Sequence, residues 1–429
     1  MRPKDLPKQR DLFKVSLSPI IDLNHPLVVL SKKIDWLRFE AKFGEKFCQN
    51  NGRPGVPTRI VIGLLYIKHT FNLSDEEVLT RFAENPYWQY FCGCLHFENK
   101  SPCDRTVLVR WRQRMGEEGM EALLQETLAV AVKENYLPIK DLDEVNVDTS
   151  VQEKNITFPT DAKLLNRARE SLVRDAKKSG INLRQTYESE GKLKLIKYSR
   201  YCHAKQFKRA KKPLRRLKTI LGRVIRDIER KCAVPDAKLK AKLMLARRIW
   251  KQQKETKGKI YSIHEPSVEC ISKGKAHKRY EFGCKVSIVT TNRSNWVIGS
   301  KALHGRPYDG HTFNGAMDQV KKIIGKFPAA AYADKGYRGA TPPEGTRLYL
   351  SGQKRGVDAQ RRKRLNRRSA IEPVIGHLKS GHRLSRNFLK GIDGDKNNTI
   401  LAGIGFNMAK LLAAIFLPNF IAHLLQNFS

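Results

Sequence analysis

Apolar residues recur at two different periods along this chain, and the changes of period mark its organisation. After the turn-rich segment NNGRPGVPT, residues Ile60, Leu64, Leu65, Ile67 and Phe71 repeat at helical spacing, the interval that lines one face of an α-helix. Ser74-Asp-Glu-Glu77 then forms a capping box before Val78, Leu79 and Phe82, so a second helix follows after a turn. Ser101-Pro-Cys-Asp104 opens a further helix, whose apolar positions Val107, Leu108, Trp111 and Met115 leave Arg105, Arg110, Arg112 and Arg114 mostly outward. Residues 1–140 are expected to form an all-α domain.

The period then shortens to two. Glu144-Val-Asn-Val-Asp148-Thr alternates apolar and polar residues and reads as a strand ending at Asp148. Strand signals return from Arg279 to Thr291, break at Asn292-Arg-Ser-Asn295 and resume from Trp296 to Ala302, a hairpin with Trp296 in its core. Phe313, Met317, Val320 and Ile324 mark a helix beginning at Asp309 or His311. Ala329-Ala-Ala-Tyr-Ala-Asp334 reads as a short buried strand ending at an acid, followed by a turn containing Gly336 and Gly339, and Leu348-Tyr-Leu350 as one more strand. From Ile400 to Leu417, Asn407 and Lys410 interrupt two apolar runs, each too short to span a bilayer. That stretch reads as a buried C-terminal helix.

Charge changes this picture more than length does. The 429 residues suggest about three domains, or one core with large insertions. Against 42 Asp and Glu stand 82 Lys and Arg, a formal net charge of +40, and so large a like-sign field implies a polyanionic partner. Nucleic acid is the expected partner. A hydrophobic content of 40% supplies a globular interior, so the charge does not belong to a disordered tail. Residues 160–260 hold 32 Lys and Arg against 9 Asp and Glu, in a helical pattern. There Ile220, Val224 and Ile228 form an apolar stripe while Arg215, Arg216, Lys218, Arg223 and Arg226 fall elsewhere, which points to phosphate contact. With that partner in view, the outward arginines of the N-terminal helices suit entry into a DNA groove, in the manner of a helix-turn-helix module.

The eight cysteines form no CxxC pair, which argues against a disulfide framework and fits a reducing cytosol. Cys92, Cys94, His96 and Cys103 lack standard finger spacing and lie among Tyr90, Phe91, Leu95 and Phe97, so they read as core. The first fourteen residues are basic with no apolar run behind them, and no secretory signal is visible.

Order carries the chemistry: a strand with Asp148, a helical insertion, a hairpin, a helix, a strand with Asp334, then a basic segment holding Glu372. Such an order fits an RNase H-like α/β core that brings three carboxylates together. Three converging acids repel unless they hold divalent cations, so two Mg²⁺ ions, with Mn²⁺ as a substitute, are the expected cofactors for in-line phosphoryl displacement. Asp309, in Pro307-Tyr-Asp-Gly-His311, reads as a helix cap. His304, His311 and His377 are assigned structural or DNA-facing roles, since oxygen ligands suit Mg²⁺ better.

At Arg368-Ser-Ala-Ile-Glu372-Pro-Val-Ile-Gly-His-Leu-Lys379 the chain resembles the bacterial DDE insertion-sequence transposases of the group related to insertion sequence five. Their signature, Tyr-x2-Arg-x3-Glu-x6-Lys, is matched by Arg368, Glu372 and Lys379, while Leu365 occupies the Tyr position. Asn146-Val-Asp148-Thr-Ser and Ala333-Asp334-Lys-Gly-Tyr-Arg-Gly339 are similar to the two Asp motifs, and Gly52 to Gly93 to the helical N-terminal domain. The resemblance implies Mg²⁺-dependent cleavage at the ends of an insertion sequence and strand transfer into target DNA. It assigns catalysis and metal binding to Asp148, Asp334 and Glu372, and DNA contact to Arg368 and Lys379 within the signature; Lys335 and Arg338 beside the second Asp, and Arg105, Arg110, Arg215, Arg216 and Arg223 from the charge pattern above, are the further expected DNA contacts. Pro373 requires the helix to begin or kink near Glu372.

The implied organisation is an all-α domain over 1–140, a catalytic core over 141–160 and 261–392, a basic helical insertion over 161–260, and an apolar C-terminal helix over 393–429 packing on the core. The implied partner is double-stranded DNA bound by a homodimer, in the bacterial cytoplasm at the nucleoid, without a membrane. A non-catalytic DNA-binding derivative, and a nuclease of the same fold that cuts without joining, are the alternative readings.

Overall fold

The computed structural model describes residues 14–47, 55–253, 255–272 and 279–427, with side chains described as far as 417. The chain divides into two compact units, one made of Met1–Glu153 and Cys284–Ser429, the other of Lys154–Gly283.

The first unit begins with helices α1 (Pro26–Lys33), α2 (Trp36–Gly44), α3 (Thr58–Thr70), α4 (Asp75–Glu84), α5 (Pro86–Phe91) and α6 (Arg105–Lys133). Local chemistry sets their ends. Ser74 accepts from the Glu77 N–H and the Glu77 carboxylate accepts from the Ser74 N–H, the reciprocal cap that starts α4. Asn85 and Asp104 cap α5 and α6 with a single side-chain bond each, accepting from the Trp88 and Thr106 N–H groups. Gly116 breaks α6 into two segments at φ 61° and ψ −165°, a conformation open to glycine and strained for other residues. Cys92 is buried in the apolar core and His96 is buried at its edge, while Cys94 and Cys103 pack partly buried against that core.

One expected surface residue is interior. Arg112 is 3% exposed, because α6 packs against α4 and brings its guanidinium onto Asp75. Arg112 donates to the two Asp75 oxygens at 2.9 and 2.5 Å, and Lys68 donates to Oδ1 at 2.6 Å. Burial alone would raise the Asp75 pKa, but these two cations outweigh it and hold the carboxyl well below its usual range. Burial and the Arg112 charge bring Lys68 down to about 8.

A mixed sheet follows, built from β1 (Glu144–Lys154), then β3 (Tyr280–Thr291) after β2 (Glu269–Ser272), then β4 (Val297–Leu303), β5 (Ala330–Ala333), β6 (Arg347–Leu350) and the two-residue β7 (Arg386–Asn387). Its order is β2-β3-β1-β5-β6, with β4 also on β3 and β7 on β1. β5 runs parallel to β1 and to β6, and β3 with β4 is the antiparallel hairpin. Helix α11 (Asp309–Ile324) connects β4 to β5, and α12 (Ala359–Asn366), α13 (Ile371–Gly381) and α14 (Gly391–Asn427) complete the unit. The apolar stretch of α14 is long enough to cross a bilayer, yet Ile400, Leu401, Ile404, Met408, Leu411 and Ile415 are buried where it packs on α3, α6 and β4. A helical region followed by a mixed sheet with helices is consistent with an RNase H-like core.

The second unit holds α7 (Asp161–Lys178), α8 (Glu188–His203), α9 (Phe207–Lys231) and α10 (Ala237–Lys251), together with β2 paired to the first residues of β3. Val224 and Ile228 of the α9 stripe are buried with Leu217, Leu221, Leu239 and Leu243, and Ile220 is buried too, so amphipathicity folds this unit from within.

Candidate active site

The expectation that the first strand ends at Asp148 is corrected: β1 continues to Lys154 and Asp148 is the fifth of its 11 residues. The polar residues beyond it are kept in the strand by tertiary partners. Gln152, fully buried, donates to the Asp395 carbonyl at 3.2 Å and accepts from Asn398 at 2.7 Å. Asp148 is half-buried, and the N–H of Thr149 donates to its Oδ1 at 2.7 Å.

β1 and β5 run parallel with Glu144 opposite Ala330 and Asn146 opposite Tyr332. Asp148 in β1 and Asp334 just past β5 lie two residues beyond the last of these pairs, on neighbouring strands. The latter follows the last residue of β5, begins the helical turn Lys335–Tyr337 and accepts from the Gly336 N–H at 2.9 Å.

Asp309 joins this group and does not cap its helix. It is the first residue of α11, whose N-cap is Tyr308 with no side-chain hydrogen bond. Its Oδ1 accepts from the Thr149 hydroxyl at 2.9 Å and pairs with the Lys285 ammonium at 2.6 Å. A Cβ at Gly336 would lie 3.0 Å from Asp334 Oδ1 and 3.1 Å from Asp309 Oδ2, so the two carboxylates flank a gap that only glycine leaves open. Beneath them Tyr337 is 1% exposed. Burial, and then the charges of Asp309 and Asp148, push its hydroxyl pKa far up and keep it protonated.

Glu372 approaches from α13. The short turn Arg367–Ala370 runs directly into α13, so Pro373 falls in the first helical turn, where its missing N–H leaves no bond unmade. Arg368 and Glu372 thus share a face. The Arg368 guanidinium, 14% exposed, lies 3.6 Å from Asp148 Oδ2 and 3.4 Å from Glu372 Oε1, and Glu372 is 63% exposed. Arg368, expected on DNA, is therefore placed on the acids. Lys379 lies two turns after Glu372 in the last turn of α13, half-buried. Leu365, at the signature's Tyr position, packs in a small buried cluster with Ala330, Tyr332 and Tyr349.

Carboxylate oxygens are the donors that suit a hard divalent cation such as Mg²⁺, and Asp148 and Glu372 both face one cationic point, held here by Arg368. Among the described residues, the acids do not gather as three donors within 4.8 Å of one another; only Cys284, His304 and Asp395 reach that spacing. Arg368 and Lys285 stand among the acids and offset their repulsion.

The remaining basic candidates are dispersed. Lys335 and Arg338 are exposed immediately after Asp334. In the helical region Arg105 pairs with Glu76, and Arg110 is exposed. In the second unit Arg215 is exposed, Arg223 donates to the Tyr187 hydroxyl at 3.3 Å, and Arg216 is held by both Glu190 oxygens at 2.6 and 2.9 Å. Two of the five N–H donors of Arg216 are thereby spent within the unit. Sequence reasoning missed Lys285, Thr149 and Tyr337 and set Asp309 aside. The signal available for Asp309 was a polar residue opening the helix directly after the hairpin.

The profile of a transposase domain family (DUF772) matches residues 15–114. The chain is similar to "Uncharacterized protein ORF8 in nfe locus" of Rhizobium meliloti, with 44% identity over 199 residues that cover 46% of this chain and 96% of that protein. No solved structure matches.

Proposed function

Because the chain belongs to the family of the Rhizobium meliloti ORF8 protein and carries a transposase domain over residues 15–114, we propose that it is a DNA transposase whose catalytic carboxylates are Asp148, Asp334 and Glu372. The observation that supports this reading is the parallel β1–β5 pairing, beyond whose last pair Asp148 and Asp334 each follow by two residues on neighbouring strands, combined with the Arg368 guanidinium lying between Asp148 and Glu372.

Asp148, Asp334 and Glu372 would hold two Mg²⁺ ions, which supply a lowered pKa to the attacking water or 3′-hydroxyl and stabilise the leaving oxygen of an in-line displacement. The chain's own part is positioning. The Thr149 and Gly336 N–H groups each hold one oxygen of Asp148 and Asp334, which fixes both carboxylates before DNA arrives. Lys285 and Thr149 anchor Asp309 at the rim. Arg368 keeps Asp148 and Glu372 from separating. Lys335, Arg338 and Lys379 would bind backbone phosphates around the scissile bond, and the outward arginines of the helical region and of the second unit would each supply phosphate contacts of their own.

The test is cleavage of DNA carrying the terminal sequences of the encoding element, with Asp148→Ala, Asp334→Ala and Glu372→Ala. Each should abolish Mg²⁺-dependent cleavage and leave binding of those ends largely intact. Near wild-type cleavage by any one variant removes that residue from the catalytic set.

A further inference from the structure

We propose that Cys284, His304 and Asp395 form a second metal site, specific for zinc-class ions, that ties the β3–β4 hairpin to the start of α14. Their donor atoms lie within 4.8 Å of one another. In a tetrahedral zinc site with bonds of about 2.0–2.3 Å, neighbouring donors stand about 3.3–3.8 Å apart, and His304 Nε2 is 3.7 Å from Asp395 Oδ2. Small side-chain movements therefore close the set.

The backbone builds the cluster from three directions. β3 and β4 pair with Lys285 opposite Leu303, so one residue further along sets Cys284 opposite His304. Asp395 projects from the first turns of α14. Cys284 is 1% exposed and Asp395 4% exposed, while the His304 side chain, 22% exposed, marks the side open to entry.

Two of the three groups carry hydrogen bonds of the kind that orient metal ligands. Asn387 donates to Asp395 Oδ1 at 2.7 Å, which leaves Oδ2, the oxygen nearest His304, directed inward. Gln152 lies 3.6 Å from the Cys284 sulfur and donates to it, the contact that orients a thiolate. Charge completes the argument. Metal binding would take the proton from the Cys284 thiol, and the one divalent cation then offsets both that charge and the buried Asp395 carboxylate. Sulfur and imidazole donors select a borderline-soft ion over Mg²⁺, so this site and the carboxylate site take different metals. Three protein ligands leave the fourth position to water.

The experiment is a Co²⁺ titration of the metal-free, full-length protein under reducing conditions. The expected result is a near-ultraviolet sulfur-to-cobalt charge-transfer band that saturates at one equivalent and is bleached by Zn²⁺. Cys284→Ser should abolish the band and His304→Gln should weaken Co²⁺ binding at least tenfold, whereas Asp334→Asn should leave the band unchanged. His304→Gln keeps the thiol in place, so it decides the matter should Cys284→Ser fail to fold. Absence of the band in the wild type overturns the proposal. So does a band that survives Cys284→Ser, which would place the sulfur ligand among the other cysteines, and so does unchanged affinity in His304→Gln.

Discussion

Replacing Arg368 with Gln should make the stability of the protein depend on divalent cations. The guanidinium stands 3.6 Å from Asp148 and 3.4 Å from Glu372. Its pairing with Glu372, a side chain 63% exposed, is a surface contact worth about 0–1 kcal/mol. The Asp148 pairing has both side chains largely buried, at 14% and 19% exposure. At 3.6 Å it is an ion pair without a hydrogen bond and contributes about 1 kcal/mol, and its loss also leaves Asp148 facing Glu372 without an intervening cation. The summed loss is about 1–2 kcal/mol, or roughly 2–3 °C in Tm for a unit of this size. Differential scanning calorimetry in EDTA measures it. Adding Mg²⁺ at millimolar concentration should recover most of the difference in Arg368→Gln while raising wild-type Tm less, because wild type already has a cation at that point. Equal Tm values in EDTA, or a gap that Mg²⁺ leaves untouched, would refute the placement of Arg368 among the acids.

Gly336→Ala puts a methyl 3.0 Å from Asp334 and 3.1 Å from Asp309; displacing those carboxylates by a few tenths of an ångström should lower the cleavage rate about tenfold with unchanged DNA affinity, and a wild-type rate would show that the gap plays no part. Asp75→Asn leaves Lys68 and Arg112 buried without their counter-charge and should cost about 3–5 kcal/mol in urea denaturation at neutral pH. Because the folded-state pKa of Asp75 is depressed, its contribution is present above about pH 4 and disappears as the pH falls below that value; the gap between wild type and Asp75→Asn should therefore close in acid. Neutralising Arg215, Arg216 and Arg223 together should flatten the slope of log K against log salt for duplex binding by about 2, less than three full contacts, because Glu190 already engages Arg216. An unchanged slope would confine that face to solvent.

What the sequence made legible was local. The Ser74–Glu77 box, the β3–β4 hairpin, the short strand before Asp334 and the helix starting at Asp309 all depend on residues within a few positions of one another. The failures share one physical cause, which is that polar groups were read as exposed when distant partners satisfy them. Asp148 looked terminal because Gln152 and its neighbours are polar, yet Asp395 and Asn398 bind Gln152 from α14. Arg112 looked outward until Asp75 met it across a helix crossing. Asp309 looked like a cap because local geometry allows one, but Thr149 and Lys285 lie on other strands. Cys284, His304 and Asp395 are scattered in sequence, and only the sheet register and the start of α14 bring them together.

Strand transfer is the most direct measure of the central claim. Labelled duplex carrying the element's terminal sequence, incubated with the full-length protein, Mg²⁺ and an unlabelled target plasmid, should yield label covalently joined to the plasmid. Asp148→Ala, Asp334→Ala and Glu372→Ala should give no joined product while still shifting the labelled duplex in a gel. Cleavage without joining by the wild-type protein would identify a nuclease on this fold, and binding with neither reaction a non-catalytic DNA-binding protein; either result contradicts the account.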